Sequence, residues 1–406
     1  MKRMTCMLLA LLLSLHCTAL AVEEMTACGY EPLKELARDN GFLMGAALSY
    51  NQMNDETYLN TIKHHFDTIT TTNEMKAYSL LDQRASQNSP DGMPRMNYTK
   101  ADQMVQFASD NGLKVRGHVL VWDAHMTKWF FHEGYDVKNP VADAETLKAR
   151  MQSYISQVMT HFETKFPGVV YCWDVVNEAI GDSEGEYEAD DPSHLRTMRS
   201  GGINPFYAYV GPDYVELAFR YAWETKQALN ADIRLFYNDY SMFNMKKRSA
   251  AIELVKRINS YLTDENGAPI QLCDGVGMQG YIGGYGTQTG CMKQTNLSDI
   301  KQSILAYAEL GVEVQITEMA VRNYRADLEM EHGDFYRRLF KMFKAINRNQ
   351  ETPKLTNVAI WGMLDRPNEP KTSYGYKMNG THGGLFGENC AVKEAFRLVH
   401  AELKAD

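Results

Sequence analysis

Two glutamates close runs of β-type sequence. Glu178 ends Tyr171-Cys172-Trp173-Asp174-Val175-Val176-Asn177-Glu178, and Glu318 ends Val312-Glu313-Val314-Gln315-Ile316-Thr317-Glu318. A pair of carboxyl groups is the minimum equipment for cutting a glycosidic bond. One, protonated, gives its proton to the leaving oxygen, while the other attacks the anomeric carbon; about 5 to 5.5 Å between them gives retention of configuration. No packing need places acids at the ends of apolar strands, so the pair reads as chemistry. The two lie far apart in sequence, and only a fold that gathers strand ends can bring them together.

The rest of the chain supplies such a fold. Short β-type runs at 42–48, 68–72, 114–121, 169–177, 234–238, 275–279, 313–318 and 358–362 alternate with amphipathic segments such as 147–166, 214–229, 247–262, 297–310 and 335–346, and a last helix follows at 393–404. Eight strand-helix units predict a closed parallel (β/α)8 TIM barrel, an α/β fold in a single domain. Strands four and seven face each other across the barrel mouth, so their ends present Glu178 and Glu318 to one bound sugar. No Pro/Ser-rich linker, repeat or low-complexity tract marks a second domain.

At the N-terminus, Lys2 and Arg3, an apolar stretch 7–15 and Ala19-Leu20-Ala21 read as a cleaved secretory signal. The expected organisation is a signal peptide at 1–21 and a barrel domain at 22–406, in a secreted or periplasmic protein. Cys17 follows His16, the wrong neighbour for bacterial lipid attachment. Losing Lys2 and Arg3 takes the formal charge from -9 to -11, which argues against nucleic acid or an anionic membrane as partner and suits a neutral polymer. No membrane span is expected, and the protein is expected to be a monomer. The remaining cysteines, Cys28, Cys172, Cys273, Cys291 and Cys390, have no metal-ligand spacing, although Cys273 and Cys291 could form a disulfide. With no Gly-rich phosphate loop, no HExxH and no Cys/His cluster, neither cofactor nor metal is expected. The acidic stretch 182–191 reads either as a solvated loop or as a flap over the groove.

The string Trp173-Asp174-Val175-Val176-Asn177-Glu178-Ala179, with Arg116-Gly117-His118, Val121-Trp122, Tyr237-Asn238-Asp239-Tyr240, Gly277-Met278-Gln279, Gln315-Ile316-Thr317-Glu318 and Trp361-Gly362, resembles glycoside hydrolase family 10, the endo-β-1,4-xylanases. The matching segments cover nearly all of the chain after the signal. The resemblance implies a retaining hydrolase of xylan, with Glu178 as acid/base and Glu318 as nucleophile. It also implies substrate-binding roles for Asn73, Lys76, His118, Trp122, Asn177, Gln279 and Trp361, with Asn177 donating to the sugar's 2-hydroxyl and Trp361 forming a stacking floor.

Several positions depart from the family pattern. The histidine that usually backs the nucleophile is Tyr281, and the aspartate that orients it is Ala320. Tyr281 is therefore counted with the substrate-binding residues and expected to donate to Glu318 and keep it ionised. The glutamate expected before Asn73 is Thr72, the Trp-His-x-Gln string reads Trp122-Asp123-Ala124-His125, and the run 365–370 replaces a second tryptophan after Trp361. Trp129, Phe130 and Phe131 could supply stacking instead, or could simply anchor their loop. Two other readings stay open: a barrel hydrolase acting on a different β-linked glycan or glycoside, and a non-catalytic glycan-binding barrel.

Overall fold

A computed structural model of the chain describes residues 26–199, 202–283, 297–348 and 354–405. Eight parallel strands close on themselves: β1 (Leu43–Leu48), β2 (Thr68–Thr71), β3 (Lys114–Val121), β4 (Val170–Asn177), β5 (Arg234–Asp239), β6 (Gly275–Met278), β7 (Glu313–Val321) and β8 (Leu355–Ile360). Each pairs with the next in sequence, and β8 closes the ring on β1 through Leu43 opposite Asn357 and Ala46 opposite Ile360. The helices α1 (Glu56–His65), α2 (Thr99–Asp110), α3 (Ala144–Lys165), α4 (Tyr214–Leu229), α5 (Met245–Asn259), α6 (Leu297–Ala308), α7 (Glu329–Asn347) and α8 (Glu394–Lys404) follow the strands in turn. The molecule is the single-domain (β/α)8 barrel that the alternation predicts.

Local sequence explains the elements that matter for the site. α3 starts where the Asp143 carboxylate accepts from the Thr146 amide at 2.9 Å. Its Leu147, Met151, Tyr154, Ile155, Val158, Met159 and Phe162 recur at helical spacing and are all buried. Phe162 meets Trp173 of β4 at 5.9 Å between ring centroids. Trp173 in turn lies against Gly117 of β3, where a Cβ would fall 2.4 Å from the indole. Only glycine lets strand and ring approach that closely, which explains Arg116-Gly117-His118 as a packing motif as well as a site motif.

Inside the barrel the packing is polar. Arg116 is buried between Asp174, to which it is salt-bridged, and Gln315, whose Oε1 accepts from Arg116 Nη1 at 2.7 Å and from the Tyr171 hydroxyl at 3.0 Å. Tyr171 also accepts from Asn357 Nδ2 at 3.1 Å. Side chains from β3, β4, β7 and β8 are thus locked together beneath the mouth, a rigid floor for whatever sits above.

Some expectations change. β8 ends at Ile360, so Trp361 and Gly362 lie just past the strand and not in it. β7 runs on to Val321, because beyond Glu318 it pairs with an extra two-residue strand, Ala320 opposite Tyr281 and Val321 opposite Ile282. Glu318 therefore lies inside β7, where the register with β8 shifts between Ile316 and Met319. Phe130 and Phe131 are buried against Tyr154 and Phe206, so that loop is anchored in the core and does not offer those rings to the groove. Residues 1–25, which include the expected signal peptide, and Cys291 of the expected disulfide lie outside the described residues. Among the described residues, no helix is long and apolar enough to cross a membrane.

Candidate active site

Glu178 is the first residue after β4, with φ of +55° in the left-handed region. That conformation costs a non-glycine residue roughly 1 to 2 kcal/mol and persists only if its surroundings impose it. They do: the Glu178 amide donates to Asn238 O at 2.9 Å, and its carbonyl accepts from Arg199 Nη2 at 3.0 Å. The turn tips the carboxylate over the barrel mouth. There Oε1 accepts from Gln279 Nε2 at 3.1 Å and Oε2 from Arg199 Nη1 at 3.0 Å.

Glu318 faces the same opening. Its Oε2 accepts from the Tyr281 hydroxyl at 2.6 Å and its Oε1 from Asn238 Nδ2 at 3.3 Å. The donor expected from Tyr281 is therefore present. Its place follows from the pairing of Tyr281 with Ala320, which shares a face with Glu318 two residues earlier. Ala320 and Met378 pack against the Tyr281 ring, so the small residue at 320 makes room for the large one at 281. Tyr281 is buried behind Glu318 and reaches the opening through it.

Three amides join the two acids. Asn177 Oδ1 accepts from Gln279 Nε2 at 3.3 Å and from Asn238 Nδ2 at 2.9 Å, so a continuous chain runs from Glu178 through Gln279, Asn177 and Asn238 to Glu318. Thr317 donates to Asn238 Oδ1 at 2.7 Å and fixes which end of that amide meets the acids. Asn177 Nδ2 is left buried without a protein partner. A buried donor with no partner is costly, and beside two carboxylates it is suited to a substrate hydroxyl.

A cavity of about 780 Å³ opens over both glutamates, lined also by Asn73, Lys76, His118, Trp122, Gln279 and Trp361. His118 Nδ1 lies 2.9 Å from Asp174 Oδ2, and that contact leaves Nε2 for a ligand. Lys76 donates to Asn73 Oδ1 at 3.3 Å and sits 5.1 Å above the Trp122 ring. The Trp122 indole N–H has no protein partner, and His125 packs on its ring at 4.0 Å. Every residue expected to bind substrate thus lines the cavity or, like Asn177 and Tyr281, stands directly behind it.

The surroundings of Glu178 bear directly on its proton. Burial pushes the Glu178 carboxyl up to about 7, and the Asp239 and Glu318 charges add to this, while Arg199 and the Gln279 hydrogen bond pull it down. A carboxyl group in that range holds a proton near neutrality and can surrender it, as a general acid must. Burial lowers the Lys76 ammonium, against the pull of Glu318 and Glu178.

Arg199 and Asp123 were not anticipated as site residues. Arg199 belongs to a two-residue antiparallel ladder, Met198 opposite Ile203 and Arg199 opposite Gly202, on the loop after Glu178. It forks Asp123 through Nε and Nη2, each at 2.9 Å. The acidic stretch before it is only partly solvated, since Arg196 salt-bridges Asp182 and Glu186 and Lys247 holds Asp182 as well. An aspartate replacing the usual histidine after Trp122 was the available signal: a charge in a groove wall calls for a counter-charge. Arg366 and Glu369, from the run that replaces the second tryptophan, and Tyr374 just beyond it also line the cavity.

The sequence matches the family model described as glycosyl hydrolase family 10 over residues 32–402. It is 32% identical to endo-1,4-beta-xylanase A of Thermotoga maritima over 82% of this chain, though it spans only 28% of that protein. In three dimensions it resembles the CBM22-1–GH10 modules of a Clostridium thermocellum endo-1,4-beta-D-xylanase complexed with xylohexaose, with a TM-score of 0.77 and 25% identity over 92% of this chain and 67% of that one. It also resembles an intracellular xylanase from Thermoanaerobacterium saccharolyticum, with a TM-score of 0.70 and 29% identity over 91% of this chain and 98% of that one.

Proposed function

The chain belongs to glycosyl hydrolase family 10, and we propose that it is an endo-β-1,4-xylanase that hydrolyses xylan with retention, using Glu178 as acid/base and Glu318 as nucleophile. The observation that carries this reading is the amide chain joining the two carboxylates across one cavity, with the acid on the β4 side raised by burial and by the neighbouring Asp239 and Glu318 charges.

The chemistry follows from the geometry. Glu178 gives its proton to the glycosidic oxygen as the bond to the anomeric carbon breaks, and a Glu318 oxygen forms the new bond to that carbon. Oε1, with the longer contact to Asn238 at 3.3 Å, is the oxygen free to attack, while Oε2 keeps its Tyr281 donor and becomes the ester carbonyl. In the second half, Glu178, now a carboxylate, takes a proton from water. The water oxygen bonds to the anomeric carbon, and Glu318 leaves with its electron pair. Asn177 Nδ2 donates to the 2-hydroxyl of the sugar being cut, a bond that strengthens as positive charge develops on the ring. Asn73 and Lys76 hold the next sugar, and Trp361 offers its face to C–H groups.

The Tyr281 donor behind Glu318 favours turnover over mere glycan binding, because the nucleophile has support despite the absent histidine. Thr72 in place of a carboxylate, and a wall of Arg366, Glu369 and Tyr374 in the same cavity, support a second reading in which the preferred glycan is another β-linked polymer. Rates on xylan, β-glucan, mannan and galactan decide between them: the proposal requires xylan to lead by at least tenfold, and a lead by any other polymer sinks it. The N-terminal sequence pattern further supports export, which requires the protein recovered from its source cells to begin near Val22.

A further inference from the structure

Arg199 is the one cation in direct contact with the Glu178 carboxylate among the described residues, and its hydrogen bonds are arranged for more than holding a loop. One guanidinium reaches the Glu178 carboxylate through Nη1 at 3.0 Å and the carbonyl of the same residue through Nη2 at 3.0 Å. It thereby fixes the side chain and, together with Arg196 Nε, which donates to the same carbonyl at 3.3 Å, the left-handed backbone on which that side chain stands. Gln279 restrains the other carboxylate oxygen. Without Arg199 the carboxyl plane would be tied at one oxygen only and free to turn about its last bond.

The opposite edge of the guanidinium is taken up by Asp123, a bidentate pair in which Asp123 is 6% exposed at its side chain and Arg199 22%. Such a fork sets the plane of the guanidinium as well as its position. Resting on the reading of Glu178 as acid/base, we propose that Arg199 is a positioning residue for Glu178, aimed and charge-balanced by Asp123, and that this pair favours the carboxylate that forms as the proton leaves. The favourable contact is strongest once Glu178 has become an anion, so it acts on the transition state more than on the resting acid.

Charge balance explains why both members are needed. Glu178 is faced by Asp239 of β5 and Glu318 of β7 on the negative side, and by Arg199 and Lys76 on the positive side; Lys247 offsets Asp239 at 3.1 Å. An uncompensated guanidinium in this ring would hold Glu178 ionised and leave it no proton to give. Asp123 removes much of that pull while keeping the donor geometry.

The test is the pH dependence of kcat/KM on xylan for the full chain and for Arg199→Met, Arg199→Lys, Asp123→Asn and Glu178→Gln. Arg199→Met moves the basic limb upward by about one pH unit, and lowers the rate on xylan by roughly tenfold more than glycosylation by an aryl xylobioside whose leaving group needs no proton. Arg199→Lys recovers part of the loss. Asp123→Asn moves the same limb downward. A role confined to holding the loop would lower all rates together with the limb unmoved, and that result overturns the proposal. Glu178→Gln separates the two ideas. If it abolishes the basic limb while the Arg199 and Asp123 variants leave that limb in place, the positioning role is wrong and the acid assignment stands. If Glu178→Gln cleaves xylan with the limb intact, the acid assignment itself is wrong, and the proposal falls with it.

Discussion

Tyr281→Phe removes a single oxygen from the site. The ring stays packed between Ala320 and Met378 beside Trp361, so the fold should survive with little change in melting temperature. What disappears is the donor 2.6 Å from Glu318 Oε2, and among the described residues no other donor contacts that oxygen. Hydrogen bonds to charged groups contribute about 1.5 to 3 kcal/mol, and at 1.36 kcal/mol per factor of ten this corresponds to about a 10- to 100-fold change in rate. The step affected follows from where charge appears. During breakdown of the ester, Glu318 regains its negative charge as it leaves, and the Tyr281 donor meets that charge as it forms. Breakdown of the intermediate should therefore slow by about 10- to 100-fold, more than its formation. With an activated aryl xylobioside, stopped-flow release of the phenolate should show a burst stoichiometric with protein and then a slow steady state. A steady-state kcat within twofold of the parent, with no burst, would refute the view that Tyr281 replaces the missing histidine.

Other outcomes follow from the same geometry. Glu178→Gln should lose roughly 10²- to 10⁴-fold on xylan but much less in glycosylation by an activated aryl glycoside; equal losses on both would contradict the acid role. The basic limb of kcat/KM should fall near pH 7, because the protonated form is lost as pH rises through the value to which burial raises Glu178. A limb above pH 9 would exclude that carboxyl. Asn177→Ala should cost about 10²- to 10³-fold in kcat with natural substrates, and much less with a 2-deoxy glycoside that lacks the partner hydroxyl. Asp174→Asn strips the counter-charge from buried Arg116 and should destabilise the fold by about 3 to 5 kcal/mol in a denaturation experiment. Burial pushes the Asp174 carboxyl up, but Arg116 and His118 more than offset this and hold it low. Its contribution is thus present above the unfolded carboxylate value near pH 3.9 and is lost as pH falls through the folded one, so the gap between parent and variant should narrow below about pH 4.

The barrel was legible because a parallel sheet buried on both faces leaves strong marks: short β-branched runs such as Val169-Val170 and Val175-Val176 recur between helices with apolar stripes. Strand ends were read less well for a physical reason. β7 continues past Glu318 because Tyr281 and Ile282 pair with it, a long-range ladder that no local pattern encodes. The donor from Tyr281 to Glu318 was inferable from two linked departures, a large polar residue at 281 and a small one at 320. The Arg199–Asp123 pair was only half legible: Asp123 in the groove wall called for a counter-charge, but its partner sits in a loop whose acidic run resembles solvated surface, and its contacts depend on how that loop folds back. Phe130 and Phe131 show the converse: aromatic composition suits a stacking platform and a core anchor equally, and only burial distinguishes them.

The most direct test is to trap the intermediate. The protein is treated with a 2-deoxy-2-fluoro-β-xylobioside carrying an activated phenolate, intact mass is followed with time, and the labelled peptide is sequenced. A double-displacement reaction through Glu318 requires the mass of one fluoroxylobiosyl group on that residue, with activity lost in step with labelling and regained as the adduct slowly turns over. A label on any other residue, or continued hydrolysis of xylan in Glu318→Gln at the parent rate, would contradict the assignment of Glu318 as nucleophile.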